Sequence, residues 1–197
     1  MIQAKDRKLT FEEYLNYEDD TDNRYELIDG ELIELPPESG LNYFIAIELF
    51  WLLAVAEVVP RRLIKIHSCE IQVPVLRNSD ATNRYPDLVI LREEHWELTQ
   101  NRLTVTLDMP PPQLVVEIVS PGRVGRERDY ERKRAQYAAR GIPEYWIVDP
   151  QEQIVMVLQL ENSQYVEIGI FQGIDALVSP IFPQLDLTAQ QILNPYF

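Results

Sequence analysis

Cysteine is almost absent from this chain. Its 197 residues include one, Cys69, which excludes an internal disulfide and fits a reducing compartment. With no histidine partner nearby in sequence, that thiol reads as a small core residue rather than a nucleophile. Histidine is scarce too: His67 and His95 are isolated, which argues against a zinc site of paired His and Cys spacing. Seven glycines and no glycine-rich phosphate loop argue against an ATP or dinucleotide site. Long apolar runs are missing, since the stretch Tyr43 to Val59 is interrupted by Glu48 and Glu57, so no membrane span is expected. The opening MIQAKDRKLTFEEY lacks an apolar signal core, and a cytoplasmic protein is the expectation.

Positive charge is also in deficit. Eighteen Lys and Arg against thirty-two Asp and Glu give a formal charge of −14, which argues against a generic basic nucleic-acid face. It does not exclude an enzyme acting on nucleic acid, because divalent cations and one local strip can offset the field. The strip is Arg123, Arg126, Arg128, Arg132, Lys133, Arg134 and Arg140. Its plain alternative is a solvated, self-paired helix face, since acids alternate with the bases.

What is present is a globular composition, 46% hydrophobic and 10% aromatic, of a length that fits one domain over 1–197. An N-terminal helix and hairpin are expected over 9–35, a core over about 41–150, and C-terminal strands with a short helix over 151–197. Thr10 followed by Glu13 forms a capping-box pattern. Asp29-Gly30 between alternating residues predicts a hairpin from Arg24 to Leu35. Leu41 to Val58, without Gly or Pro, reads as a long, largely buried helix. Ile64–His67 and Glu70–Val73 read as strand, with a bulge near Ser68-Cys69 if they form a single one. Pro86–Leu91 is a short buried strand, and Glu93–Thr106 is ambiguous. Antiparallel strands follow at Ile154–Leu158 and Tyr165–Ile168, then a short helix from Leu185 to Leu193.

The central stretch runs from Pro112 to Pro150. Leu114 to Val119 and Tyr145 to Val148 are apolar runs separated by a charged helical segment, an order of strand, crossover helix and strand. The first run carries one carboxylate, Glu117, and a buried unpaired carboxylate is costly. Strand alternation puts Asp87, Val89 and Leu91 on one face, and Val115, Glu117 and Val119 on one face. If the two strands pair, Asp87 and Glu117 meet and require a cation, a proton or a basic partner. Oxygen ligation suits Mg²⁺, with Mn²⁺ as the alternative, and the Ile118 backbone carbonyl offers a further ligand. On the helix from Glu127 to Arg140, the positions Tyr130, Lys133, Tyr137 and Ile142 share a face. Lys133 could therefore look inward and position a water, while the arginines stay in solvent. The plain reading of Glu117 and Lys133 is a structural ion pair.

The segments YELIDGEL, YPDLVIL, LVVEIVSP, DYERKRAQY and GIPEYWIVDP occur in this order. They resemble the Uma-type family of restriction-endonuclease-like proteins, in the PD-(D/E)XK nuclease superfamily, over about Tyr25 to Asp149. The resemblance implies an α/β (α+β) restriction-endonuclease-like fold, a mixed curved sheet flanked by helices. It also implies a metal-dependent endonuclease hydrolysing phosphodiester bonds in DNA, working as a homodimer. Asp87 matches the second-motif aspartate and Glu117 the third-motif acid. The usual lysine two residues later is absent, Val119 standing there, and Lys133 on the following helix is the matching position. Glu26 is the candidate first-motif acid, with Glu31 and Glu48 as alternatives. Where the family often has a histidine before the long helix, this chain has Asn42. A second class of function remains open, a catalytically inactive scaffold that binds nucleic acid or a partner protein.

Overall fold

The computed structural model describes residues 8–21 and 23–194; the opening residues 1–7 lie outside it. The elements, in chain order, are α1 (Phe11–Leu15), β1 (Tyr25–Ile28), β2 (Glu31–Glu34), α2 (Gly40–Val55), β3 (Ile64–Ile66), β4 (Glu70–Gln72), β5 (Asn83–Arg84), β6 (Leu88–Ile90), α3 (His95–Leu98) and β7 (Thr104–Val105). There follow β8 (Leu114–Ile118), α4 (Arg123–Glu127), a π-helical turn (Arg128–Lys133), α5 (Arg134–Arg140), β9 (Glu144–Asp149), β10 (Ile154–Glu161), β11 (Gln164–Gln172) and α6 (Ala189–Leu193).

Local chemistry sets the N-terminal elements. Thr10 and Glu13 close a reciprocal capping box on α1. Asp29 and Gly30 both take positive φ, 49° and 79°, as a two-residue hairpin turn requires. A side chain at Gly30 would also sit 2.6 Å from the Lys8 Cβ, so glycine is needed there for space as well as for conformation.

The main sheet has the order β11-β10-β9-β8-β6-β3. β8 and β9 are parallel and the other pairs antiparallel. The parallel pair at its centre is buried at every position, which is why both strands read as unbroken apolar runs. A three-stranded sheet, β5-β4-β7, and the β1-β2 hairpin complete the strands among the described residues. Ile45, Ala46, Leu49 and Leu53 of α2 are buried in the core, whereas Trp51 and Val55 on its other side are exposed. The sequence reading of α2 as largely buried is therefore half right: an all-round apolar helix looks internal in sequence, but here one face meets solvent. α2 also ends at Val55, short of Val58, and α6 begins at Ala189, capped by Thr188, rather than at Leu185.

Ile64–Ile66 and Glu70–Gln72 are not one bulged strand. They lie in different sheets, because His67 adopts a left-handed φ of 52° and turns the chain out of the main sheet. Cys69, just after this turn, is 1% exposed, and burial pushes its thiol up to about 12. Native protein should therefore leave an aromatic disulfide reagent unreacted at pH 8 and release one equivalent of thiolate in denaturant. Fast labelling of the folded chain would contradict this burial.

Candidate active site

β6 and β8 pair antiparallel, with Leu88 opposite Val116 and Val89 opposite Val115. Extending that register by one residue sets Asp87 against Glu117, so the two acids meet where the strands leave the sheet. The side chain of Asp87 accepts the Ile118 N–H at 2.5 Å, a short hydrogen bond that fixes one carboxylate oxygen against the end of β8.

Lys133 looks inward, as the helical spacing predicts. Its Nζ lies 2.6 Å from Glu117 Oε2 and 3.1 Å from Asp129 Oδ1. Asp129 and Lys133 bound one stretch of the π-helical turn, a feature that often marks functional positions. The other oxygen of Glu117 accepts the Tyr137 hydroxyl at 2.5 Å. Asp129 is fully buried and is also held by Arg128, Nε to Oδ1 at 3.0 Å. The ion pair that the plain reading gives Glu117 and Lys133 is present, as one part of a four-charge network, Arg128–Asp129–Lys133–Glu117.

Burial, together with repulsion from Asp87 and Asp129, pushes the Glu117 carboxyl up to about 7 against the pull of Lys133. Burial pushes the Lys133 ammonium down, but Asp129 and Glu117 outweigh it and leave it above its ordinary value. For Asp129, burial is outweighed by Lys133 and Arg128, and its carboxyl lies below the usual range. Glu117 therefore holds its proton more tightly folded than unfolded. Between about pH 4.5 and about 7 the native state binds more protons, and stability falls as pH rises. Urea unfolding in a chelator across that window should show the fall, and Glu117→Gln should flatten it. A wild-type profile as flat as the variant's would contradict the burial of this charge.

Glu26, Asp87, Glu117 and Lys133 all line one cleft of about 210 Å³, together with Ile118, Arg24, Glu38, Ser120 and Arg128. Glu26 reaches it from β1 and pairs with Arg84 at 2.8 Å. Glu31, exposed on β2, and Glu48 on α2 do not line it. The Ile118 carbonyl accepts a hydrogen bond from Asn42 at 3.1 Å, so the residue standing where the resemblance implies a histidine reaches the end of β8.

Three further residues were not singled out from the sequence: Asp129, Glu38 and His67. Asp129 had a usable signal, its four-residue spacing to Lys133 on a helix. Glu38 and His67 had none, being brought in from a loop before α2 and a turn after β3. A ligand atom from each of Glu38, His67 and Asp87 lies within 4.8 Å of the other two, so the donor set here suits a divalent cation.

The arginine strip is not a free basic face. Arg126 pairs with Asp149, and Arg132 pairs with Asp80 at 2.8 Å. Arg140, expected in solvent, is buried and donates to the carbonyls of Thr106 and Met109. Arg126, Arg132 and Arg140 tie the 123–140 segment to neighbouring elements, which corrects the solvent-facing reading for Arg140, while Arg128 and Lys133 pair with Asp129 inside the segment as the self-paired reading has it.

A mixed sheet flanked by helices, with a parallel pair bridged by the 123–140 segment, defines the restriction-endonuclease-like α/β fold. Its acids and lysine meet in one cleft beside that pair. The chain belongs to the Uma2 family, described as putative restriction endonuclease, whose model matches residues 11–190. It is similar in structure to a putative nuclease belonging to DUF820 from Anabaena variabilis ATCC 29413. The TM-score is 0.66 at 20% identity, covering 95% of this chain and 98% of that one. No curated protein sequence matches it.

Proposed function

We propose that the chain is a metal-dependent endonuclease that hydrolyses phosphodiester bonds in DNA. The observation that carries this reading is the convergence of Glu26, Asp87, Glu117 and Lys133 on one cleft in a chain of this family. Asp87 and Glu117, with the Ile118 carbonyl, would hold Mg²⁺ or Mn²⁺. Such a cation supplies Lewis acidity and a bound water that is easier to deprotonate.

The chain's own residues do the rest. Lys133, fixed by Glu117 and Asp129, presents a preorganised ammonium to the charge that develops on the phosphoryl oxygens. Tyr137 keeps Glu117 from rotating away. Arg24 and Arg128 line the same cleft and offer guanidinium donors to flanking phosphates, which localises positive charge in an otherwise acidic molecule. Glu26, on the cleft wall, is the third acid. A homodimer would supply two clefts for the two strands of a duplex, and the single buried thiol suits a reducing cytoplasm.

The test is incubation of supercoiled plasmid with tag-free protein and Mg²⁺ or Mn²⁺. Nicked and linear products that vanish in EDTA are expected; intact plasmid with either cation would overturn the proposal.

A further inference from the structure

We infer that the cation site extends from Asp87 to Glu38 and His67 and that this nitrogen-containing set selects a first-row transition cation over Mg²⁺. The inference rests on the proposed nuclease function, in that Asp87 is taken as a ligand. It adds to that reading a ligand set on the Asp87 oxygen that does not take the Ile118 N–H.

The other ligand groups of the nuclease site are already engaged. Both Glu117 oxygens have donors, Lys133 and Tyr137, and the Ile118 carbonyl accepts from Asn42. Asp87 is different. Its Oδ2 takes the Ile118 N–H, while its Oδ1 faces His67 Nδ1 at 3.4 Å. Glu38 repeats the pattern: its Oε1 accepts the Ser39 N–H at 3.1 Å, and its Oε2 faces the same Nδ1 at 4.0 Å. Each carboxylate is anchored through one oxygen and directs the other at the imidazole.

Those spacings are those of ligands rather than of hydrogen-bond partners. A good N–H···O contact falls at about 2.7–3.2 Å, and Nδ1 stands off both carboxylates by more than that. Donors bound tetrahedrally to one cation, at about 2.0–2.2 Å each, lie roughly 3.4 Å apart. The Asp87 and His67 atoms already meet that spacing at 3.4 Å, and Glu38, on the loop before α2, stands 4.0 Å from the same nitrogen and has to close further on it. The second nitrogen, Nε2, is also buried with no hydrogen-bond partner among the described residues. The nitrogen that bears on the site is Nδ1: it is turned to both carboxylates on a side chain only 12% exposed, and without a good protein hydrogen bond it is open to a partner beyond the protein.

The ring is held without help from Nε2. It stacks on Tyr43, centroids 5.6 Å apart at 17°. The His67 N–H donates to the Asp87 carbonyl at 3.0 Å, and its own carbonyl accepts from Arg24. The backbone hydrogen bond ties the imidazole to the aspartate it faces. Liganding histidines commonly donate their second nitrogen to an acceptor; here stacking and backbone contacts fix the orientation instead. Imidazole favours Zn²⁺, Co²⁺ and other transition cations, while Mg²⁺ prefers oxygen alone.

The test uses metal binding, not cleavage. Tag-free protein is titrated with Co²⁺ by visible absorption, and its Mn²⁺ complex is examined by pulsed EPR for nitrogen coupling. His95 cannot supply that coupling, being buried with its ring nitrogens bonded to the Arg92 N–H and the Pro110 carbonyl. One bound cation with nitrogen coupling is expected, displaced by Mg²⁺ only in large excess. His67→Ala should abolish the coupling, and both it and Glu38→Gln should weaken Co²⁺ binding by roughly tenfold or more; circular dichroism checks that each folds. Wild-type Mn²⁺ without nitrogen coupling, or variants that bind Co²⁺ as wild type does, would overturn the inference and leave the nuclease reading standing. A nitrogen-coupled site in a protein that leaves plasmid intact with every cation tried would support the inference and sink the nuclease reading.

Discussion

Lys133→Met should destabilise the folded chain by about 3–5 kcal/mol, the range for removing one partner of a buried ion pair. The side chain is 7% exposed and sits between two carboxylates that are 3% and 0% exposed. Methionine fills the same volume but returns no charge, so Glu117 and Asp129 are left facing each other with Arg128 alone to balance them. Urea unfolding at neutral pH measures the loss. Adding Glu117→Gln and Asp129→Asn to the same background should restore most of it, because the stranded charges are then gone. A loss below about 1 kcal/mol would mean the network is screened by solvent rather than buried. On the proposed mechanism the same variant also loses cleavage by roughly a hundredfold or more, the effect of removing one preorganised donor from a developing negative charge.

Asp87→Asn separates function from folding in the opposite way. The amide oxygen can still accept the Ile118 N–H, the contact that Asp87 makes at 2.5 Å. Thermal stability should then change little, and relief of repulsion on Glu117 works in the variant's favour. Cation affinity should collapse, because the amide lacks the charge that both proposed ligand sets share. Cleavage is expected to fall roughly a thousandfold, equivalent to about 4 kcal/mol of lost transition-state stabilisation. A variant that folds as wild type and cleaves at a comparable rate would place the chemistry elsewhere.

Much of this site was legible in the sequence where the signal was local. Asp29-Gly30 predicted the hairpin through turn chemistry alone. A carboxylate inside the apolar run of β8 singled out Glu117, and helical spacing turned Lys133 inward. The meeting of Asp87 and Glu117 was legible only on the condition that their strands pair, and the register of β6 and β8 meets that condition. What escaped was non-local. Glu38 and His67 stand far apart in sequence, and His67 reaches Asp87 because its left-handed turn breaks what looked like one strand. Asp129 is the exception: its four-residue spacing to Lys133 was a local signal, obscured by a helix of alternating charge in which a buried acid looks like any solvated one. Arg140 shows the converse, a charge expected in water that closes loop carbonyls. Such burial depends on which loops pack over the 123–140 segment, and no period in the sequence encodes that.

The central claim is that a cation held at Asp87 and the Lys133 ammonium beside it together cut phosphodiester bonds. The most direct measurement is a plasmid-cleavage time course in Mn²⁺, run on wild type, Asp87→Asn and Lys133→Met purified in parallel, with EDTA as the control. The account predicts cleavage by wild type alone, abolished by EDTA. Equal cleavage by all three proteins, or none by wild type, would contradict it.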